Sequence, residues 1–172
     1  MDYKFKNLKF QNKLIKLQIW DTPGVYSLRN GIRRYFKDAH GIILMYDVTD
    51  KKSFNNIRNW MEDIKINSNR KVRIVLVGNK CDSPFRKVSK EEGKKLANEF
   101  NIIFFEVSGK DGINVNAVFD YLVEDILNNN VDDQLKVKLK DKLEKRILKK
   151  SFKLSFHNKY FNLNLYNKFL KY

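Results

Sequence analysis

Three short segments carry side chains whose types and spacing could do chemistry: Asp21-Thr22-Pro23-Gly24, Asn79-Lys80-Cys81-Asp82 and Ser108-Gly109-Lys110. Guanine presents two adjacent donors, N1–H and the 2-amino group, which a single carboxylate accepts together; adenine offers no such pair. Asp82 is the candidate for that contact, with Asn79 holding the loop and meeting the other purine edge, and the Lys80 stem lying on the ring face. The alternative for Asp82 is a loop-capping role. An N-K-x-D tetrad carries little weight alone in a chain with twenty Asn and 27 Lys. The weight comes from joint placement, because each of the three segments follows a run that reads as a strand.

The elements that must position these segments are legible from apolar periodicity. Asp2 to Phe10 and Lys13 to Trp20 read as a hairpin, with Ile15, Leu17 and Ile19 on one face of its second strand. Gly41 to Tyr46, Val72 to Val77 and Ile102 to Val107 are continuous apolar runs, the pattern of strands covered on both faces. Between and after them, Phe54, Ile57, Met61 and Ile64 keep a three-four helical spacing. Ser89 and Glu92 form a capping box ahead of Leu96, Ala97 and Phe100, and Val115, Val118, Phe119, Leu122 and Ile126 mark a last helix. A hairpin followed by alternating strand and helix predicts a three-layer α/β fold with a mostly parallel sheet, whose ligands bind at the carboxyl ends of the strands.

Composition sets the outer bounds. The chain has 172 residues, enough for one core, and its longest apolar run, Ile42 to Tyr46, is far too short to span a membrane. One cysteine, Cys81, excludes an intramolecular disulfide framework and a multi-cysteine zinc site, and no signal peptide is visible, so a cytoplasmic location is expected. The net charge of +15 is uneven: residues 131 to 172 contribute +8. A solvated surface accounts for it better than nucleic-acid binding does.

With the motifs placed, the chain resembles the Ras superfamily of small GTPases and, within it, the Rab branch. KLQIWDTPG (16 to 24), YFKDAHGIILMYDVTDKKSF (35 to 54), LVGNKCD (76 to 82) and SGK (108 to 110) carry the resemblance, which covers about residues 2 to 128. It implies the P-loop-NTPase-like small GTPase fold, GTP or GDP with Mg²⁺ as ligands, and a place in vesicle trafficking. It implies further that Asp21 reaches Mg²⁺ through water, that the Gly24 amide meets the γ-phosphate, and that the backbone of Ser108, Gly109 and Lys110 contacts guanine O6. Tyr3, Trp20 and Tyr35 would form the exposed aromatic triad that meets Rab effectors; ordinary packing is the alternative for these three.

The departures shape the expectation. No G-x-x-x-x-G-K-[ST] occurs among the seven glycines, and the resemblance starts at the family's second strand, so the fold is expected to lack its first strand, P-loop and first helix. Val25 stands where the family carries the Gln that orients the attacking water, and Tyr26 replaces the following Glu. Val neither donates nor accepts a hydrogen bond, which puts hydrolysis in doubt and makes weak or absent nucleotide binding the expectation. The alternative is a catalytically dead, nucleotide-independent adaptor or a non-functional fragment. Residues 1 to 129 are read as a partial G domain and 130 to 172 as a basic tail, helical where Leu135, Leu139, Leu143 and Ile147 recur and irregular beyond. That tail, without a cysteine for prenylation, points to reversible contact with anionic membrane rather than a lipid anchor. Loss of the first strand would part the hairpin from the rest of the sheet and leave the chain molten or insoluble, unless Phe152 to Phe156, where Phe, Leu and Phe alternate, fills the slot.

Overall fold

The computed structural model describes residues 2–10, 13–24, 28–68, 71–129 and 161–168. β1 (Asp2–Phe10) and β2 (Lys13–Asp21) pair antiparallel, from Asp2 opposite Asp21 to Phe10 opposite Lys13. Ile15 and Leu17 are buried while Lys16 between them is exposed, the period-two burial that fixes register, since a one-residue slip would turn both apolar side chains to water.

The middle of the sheet follows from its continuous apolar runs. β3 (Gly41–Asp47), β4 (Arg73–Asn79) and β5 (Ile103–Glu106) are parallel neighbours. β3 is buried along its whole length. Ile42, Leu44, Tyr46 and Leu76 face the layer of α1 (Arg29–Phe36), α2 (Lys51–Asn55), α3 (Ile57–Asn67) and α4 (Lys90–Glu99); Ile43, Met45, Val75 and Val77 face α5 (Val115–Asn129). The crossovers from β3 to β4 and from β4 to β5 run on one face. The connection leaving β5 returns in the opposite direction, so the right-handed rule requires the other face, where α5 lies.

Local chemistry sets the helix starts. The Ser89 side chain accepts from the Glu92 N–H at 3.1 Å and the Glu92 carboxylate accepts from the Ser89 N–H at 2.9 Å, the expected capping box. Asp50 caps α2 by accepting from the Lys52 and Ser53 N–H groups. One close approach needs a glycine: a Cβ on Gly93 would lie 2.5 Å from Tyr46 Oη and clash with the Phe104 ring, which stacks on Tyr46 at 6.5 Å. That packing seals the Tyr46 hydroxyl among apolar groups, and burial pushes its pKa up.

The principal correction concerns the slot between the hairpin and the rest of the sheet. It is filled. β6 (Phe161–Lys168) lies between β2 and β3, parallel to both, and the six-stranded order is β1-β2-β6-β3-β4-β5. Phe161 to Asn167 pair with Ile15 to Asp21, and Leu165 to Lys168 pair with Gly41 to Leu44. In this register positions 161, 163 and 165 (Phe, Leu, Leu) match Ile15, Leu17 and Ile19, and positions 162, 164 and 166 (Asn, Asn, Tyr) match Lys16, Gln18 and Trp20. The apolar alternation of the two strands coincides, which selects this pairing. The segment expected to be irregular is therefore a strand at 161–168. Phe152 to Phe156, the segment expected to compete for the slot, and the amphipathic stretch at 134–150 lie outside the described residues.

Candidate functional site

Two of the three segments named from sequence meet at the carboxyl ends of β4 and β5. Asn79 ends β4, and Lys80 then takes a left-handed backbone at φ +64°, a sparsely populated conformation for a residue with a Cβ that turns the chain sharply outward. The turn is pinned from both sides: the Cys81 N–H donates to the Val107 carbonyl at 3.0 Å and the Ser83 N–H to the Lys80 carbonyl at 3.0 Å. After β5, the Ser108 hydroxyl accepts from the Asp111 N–H at 3.0 Å, which closes the second loop.

Side chains then tie one loop to the other. Asn79 Oδ1 accepts from the Gly109 N–H at 3.1 Å. Asp82 is exposed, and the Ser108 side chain, with support from its own backbone N–H and from the charges of Lys110 and Lys80, holds its carboxyl below the ordinary carboxylate value. The site thus presents an ionised acceptor to solvent. Asn79, Asp82, Ser108 and Gly109 come together at these two loops, and Lys110 is exposed beside them. On the α5 side, Asn79 and Gly109 also border an apolar cavity of about 240 Å³ whose other walls include Ile43, Met45, Val77 and Phe119.

Lys80 has a partner that the sequence reading missed. Its ammonium lies 2.5 Å from the Asp47 carboxylate, whose other oxygen accepts from the Thr49 N–H at 2.8 Å and the Thr49 hydroxyl at 2.7 Å. Burial alone would raise the Asp47 carboxyl; the bonds from Lys80 and Thr49 outweigh it and keep it below its ordinary value. Asp47 therefore fixes the Lys80 stem at the edge of the loop. The available signal was a charged residue directly after an apolar strand run, in the same place as Asp21 and Asn79.

Asp21 and Gly24 sit apart from this cluster. Asp21 ends β2 beside Asp2 of β1 and Asn167 of β6, and Thr22 is buried. Three strand steps separate the ends of β2 and β4, about 14 Å at the usual spacing. Among the described residues no three Asp, Glu, His or Cys side chains converge as metal ligands. Val25 and Tyr26 lie outside the described residues.

The aromatic residues singled out from sequence form one contiguous group. Tyr3 on β1 lies 5.0 Å from Trp20 on β2, which lies 5.3 Å from Tyr35 on α1. Phe5, unremarked in the sequence, extends the group: its ring is 5.4 Å from Tyr3 and carries the Lys16 ammonium at 4.0 Å. Tyr3 and Phe5 are each half exposed. α1 itself is tied down by Arg33, whose guanidinium donates twice to the buried Asp63 of α3, at 2.7 and 3.2 Å.

Comparison with known proteins agrees with this architecture. Residues 1–128 match the Ras family. The chain is 48% identical over 128 residues to the Ras-related protein Rab-13 of Mesocricetus auratus, covering 74% of the chain and 63% of that protein. It is 40% identical over 136 residues to the Ras-related protein SEC4 of Candida albicans (78% and 65% covered) and 43% identical over 133 residues to the Ras-related protein Rab-8B of Dictyostelium discoideum (77% and 66% covered). The chain belongs to the Ras family and is Rab-like within it. It spans less than two thirds of the length of each of these three relatives.

Proposed function

We propose that this chain is a Rab-like guanine-nucleotide-binding protein of vesicle trafficking whose described site recognises the base and not the phosphates. The observation that carries the reading is the bond that ties the two loops together, from the Gly109 N–H to Asn79 Oδ1, with the Asp82 carboxylate exposed at the same loop pair, held below its ordinary pKa by the Ser108 side chain, beside the fixed Lys80 stem. Bidentate acceptance by Asp82 selects guanine over adenine. The 172 residues carry no G-x-x-x-x-G-K-[ST], and Val25 cannot orient a water, so GTP hydrolysis is not expected of this chain.

Base recognition alone sets the affinity. Guanine offers about eleven non-hydrogen atoms, and about −0.4 kcal/mol for each gives roughly −4 to −5 kcal/mol, a dissociation constant near the millimolar range. Titration with guanosine, GMP and GDP, with and without Mg²⁺, tests this. All three should bind about equally, Mg²⁺ should add little, and Asp82→Ala should abolish binding. Submicromolar, Mg²⁺-dependent binding of GTP would overturn the reading.

The continuous aromatic group from Phe5 to Tyr35 supports a second reading, a nucleotide-independent adaptor that meets Rab-type effectors through this surface. Capture of an effector by nucleotide-free protein, lost on Tyr3→Ala, would favour it; capture that requires GTP would exclude it. The stretch at 134–150, net +6, is proposed to add reversible attraction to anionic membrane, and cosedimentation with acidic vesicles that persists at high salt would overturn the electrostatic account.

A further inference from the structure

We propose that the slot between β2 and β3 is a strand-exchange site, and that its second occupant is residues 161–168 of another copy of this chain. β6 is paired with β2 over residues 161–167 and with β3 over residues 165–168. Nothing in that pairing depends on which copy supplies the strand. What favours the chain's own strand is the tether, the 31 residues from 130 to 160 that link α5 to β6. Fully extended, at about 3.3 Å per residue, that length spans at most roughly 100 Å, and about 70 Å if residues 134–150 are helical as their sequence pattern predicts, so in either case it is long enough for the same strand to reach a neighbouring slot.

The balance is then one of effective concentration. A tether holds a strand near its own slot at an effective concentration set by its length, roughly millimolar and falling as the tether lengthens. Exchange between two copies becomes competitive when the protein approaches that concentration, and the reciprocal exchange closes a two-fold dimer in which both slots are filled. The hairpin makes the exchange consequential. β2 touches β3 only through β6 in the sheet order, so whichever copy supplies the strand holds the other copy's hairpin, including Tyr3, Phe5 and Trp20, against its remaining sheet.

Two experiments decide it. Leu17 and Leu163 are opposite each other in the parallel register. A Leu17→Cys, Leu163→Cys chain on a Cys81→Ser background, oxidised at about 10 μM, should give an internally cross-linked monomer. Oxidised after equilibration at about 1 mM, it should give a large fraction of covalent dimer. Deleting residues 131–159 leaves two linking residues, about 10 Å of chain, against two strand spacings and one layer spacing, about 14 Å, between α5 and the slot. That variant should be dimeric at every concentration by light scattering. Cross-linked monomer alone at both concentrations, no cross-link at all, or a folded monomeric deletion variant would each overturn the proposal. If the deletion variant fails to fold, the cross-linking result stands by itself.

Discussion

The side-chain carbonyl of Asn79 accepts the backbone N–H of Gly109 at 3.1 Å, a side-chain bond between residues thirty positions apart that adds to the Cys81-to-Val107 backbone bond in setting the loop after β4 against the loop after β5. The backbone bonds hold the two strand ends, and this bond fixes where the Gly109 turn sits against Asn79. Asn79→Ala should cost about 0.5–1.5 kcal/mol of stability and weaken guanosine binding further, whereas Asn79→Asp keeps an acceptor for Gly109. Thermal melts with the chemical shift of the Gly109 amide check this; an unmoved amide in the alanine variant would show that the loops are positioned some other way.

Asp82 links pH to binding. Its carboxyl is held below the ordinary value chiefly by the Ser108 side chain, so it stays ionised, and able to accept guanine's two donors, down through the usual carboxylate range. Guanosine affinity should fall only as pH drops through that lowered pKa. Ser108→Ala removes the hydroxyl, raises the pKa, and should move the loss of binding to higher pH. A pH titration by NMR of the two proteins measures the shift; coincident curves would exclude the Ser108 contribution.

Two glycines give a paired stability test. A Cβ on Gly93 would meet Tyr46 Oη at 2.5 Å and the Phe104 ring, both in the packed layer beneath α4. Gly93→Ala should therefore cost about 1–3 kcal/mol through overpacking. Gly31 in α1 has nothing within 4 Å of the same position, and Gly31→Ala should be neutral or stabilising by up to about 1 kcal/mol. Denaturant midpoints at constant m-value read both.

Arg33 neutralises Asp63, which is buried on α3, while its own guanidinium is 39% exposed. Arg33→Ala leaves the carboxylate without its partner and should destabilise by about 1–3 kcal/mol. Because Tyr35 lies on the same helix and packs on Trp20, the change should also alter Trp20 fluorescence, measured in a Trp60→Phe background. Stability lost with no change at Trp20 would separate the ion pair from the aromatic group.

The parallel strands were legible because a strand buried on both faces must be apolar throughout, and Gly41 to Tyr46 is. The capping box was legible because Ser89 and Glu92 satisfy each other within four residues. Contacts that depend on distant parts of the chain were harder to read. Lys80 meets Asp47 across thirty-three positions, and only the folded sheet brings their strand ends together. α1 was missed because Arg29, Asn30, Arg33 and Arg34 leave it few apolar positions; Ile32 and Phe36 bury its one narrow stripe. β6 was missed for a different reason. Asn at three of its eight positions argues against a strand on propensity, and only the matching alternation of β2 makes the segment fit.

A strand near the end of the sequence at the middle of the sheet has a consequence for biosynthesis. β1 and β2 leave the ribosome well before β6, and the strand that lies against β2 follows roughly 140 residues later, about 7 to 30 s at ordinary elongation rates of about 5–20 residues per second. Through that interval the hairpin is a two-stranded ribbon, marginal by itself, with the inner edge of β2 open to any extended segment nearby. The β3-to-α5 unit can form as it emerges, but the sheet closes only after residue 168 is free. The yield of folded protein is therefore governed by how well nascent hairpins on neighbouring ribosomes are kept apart before their own last strand arrives.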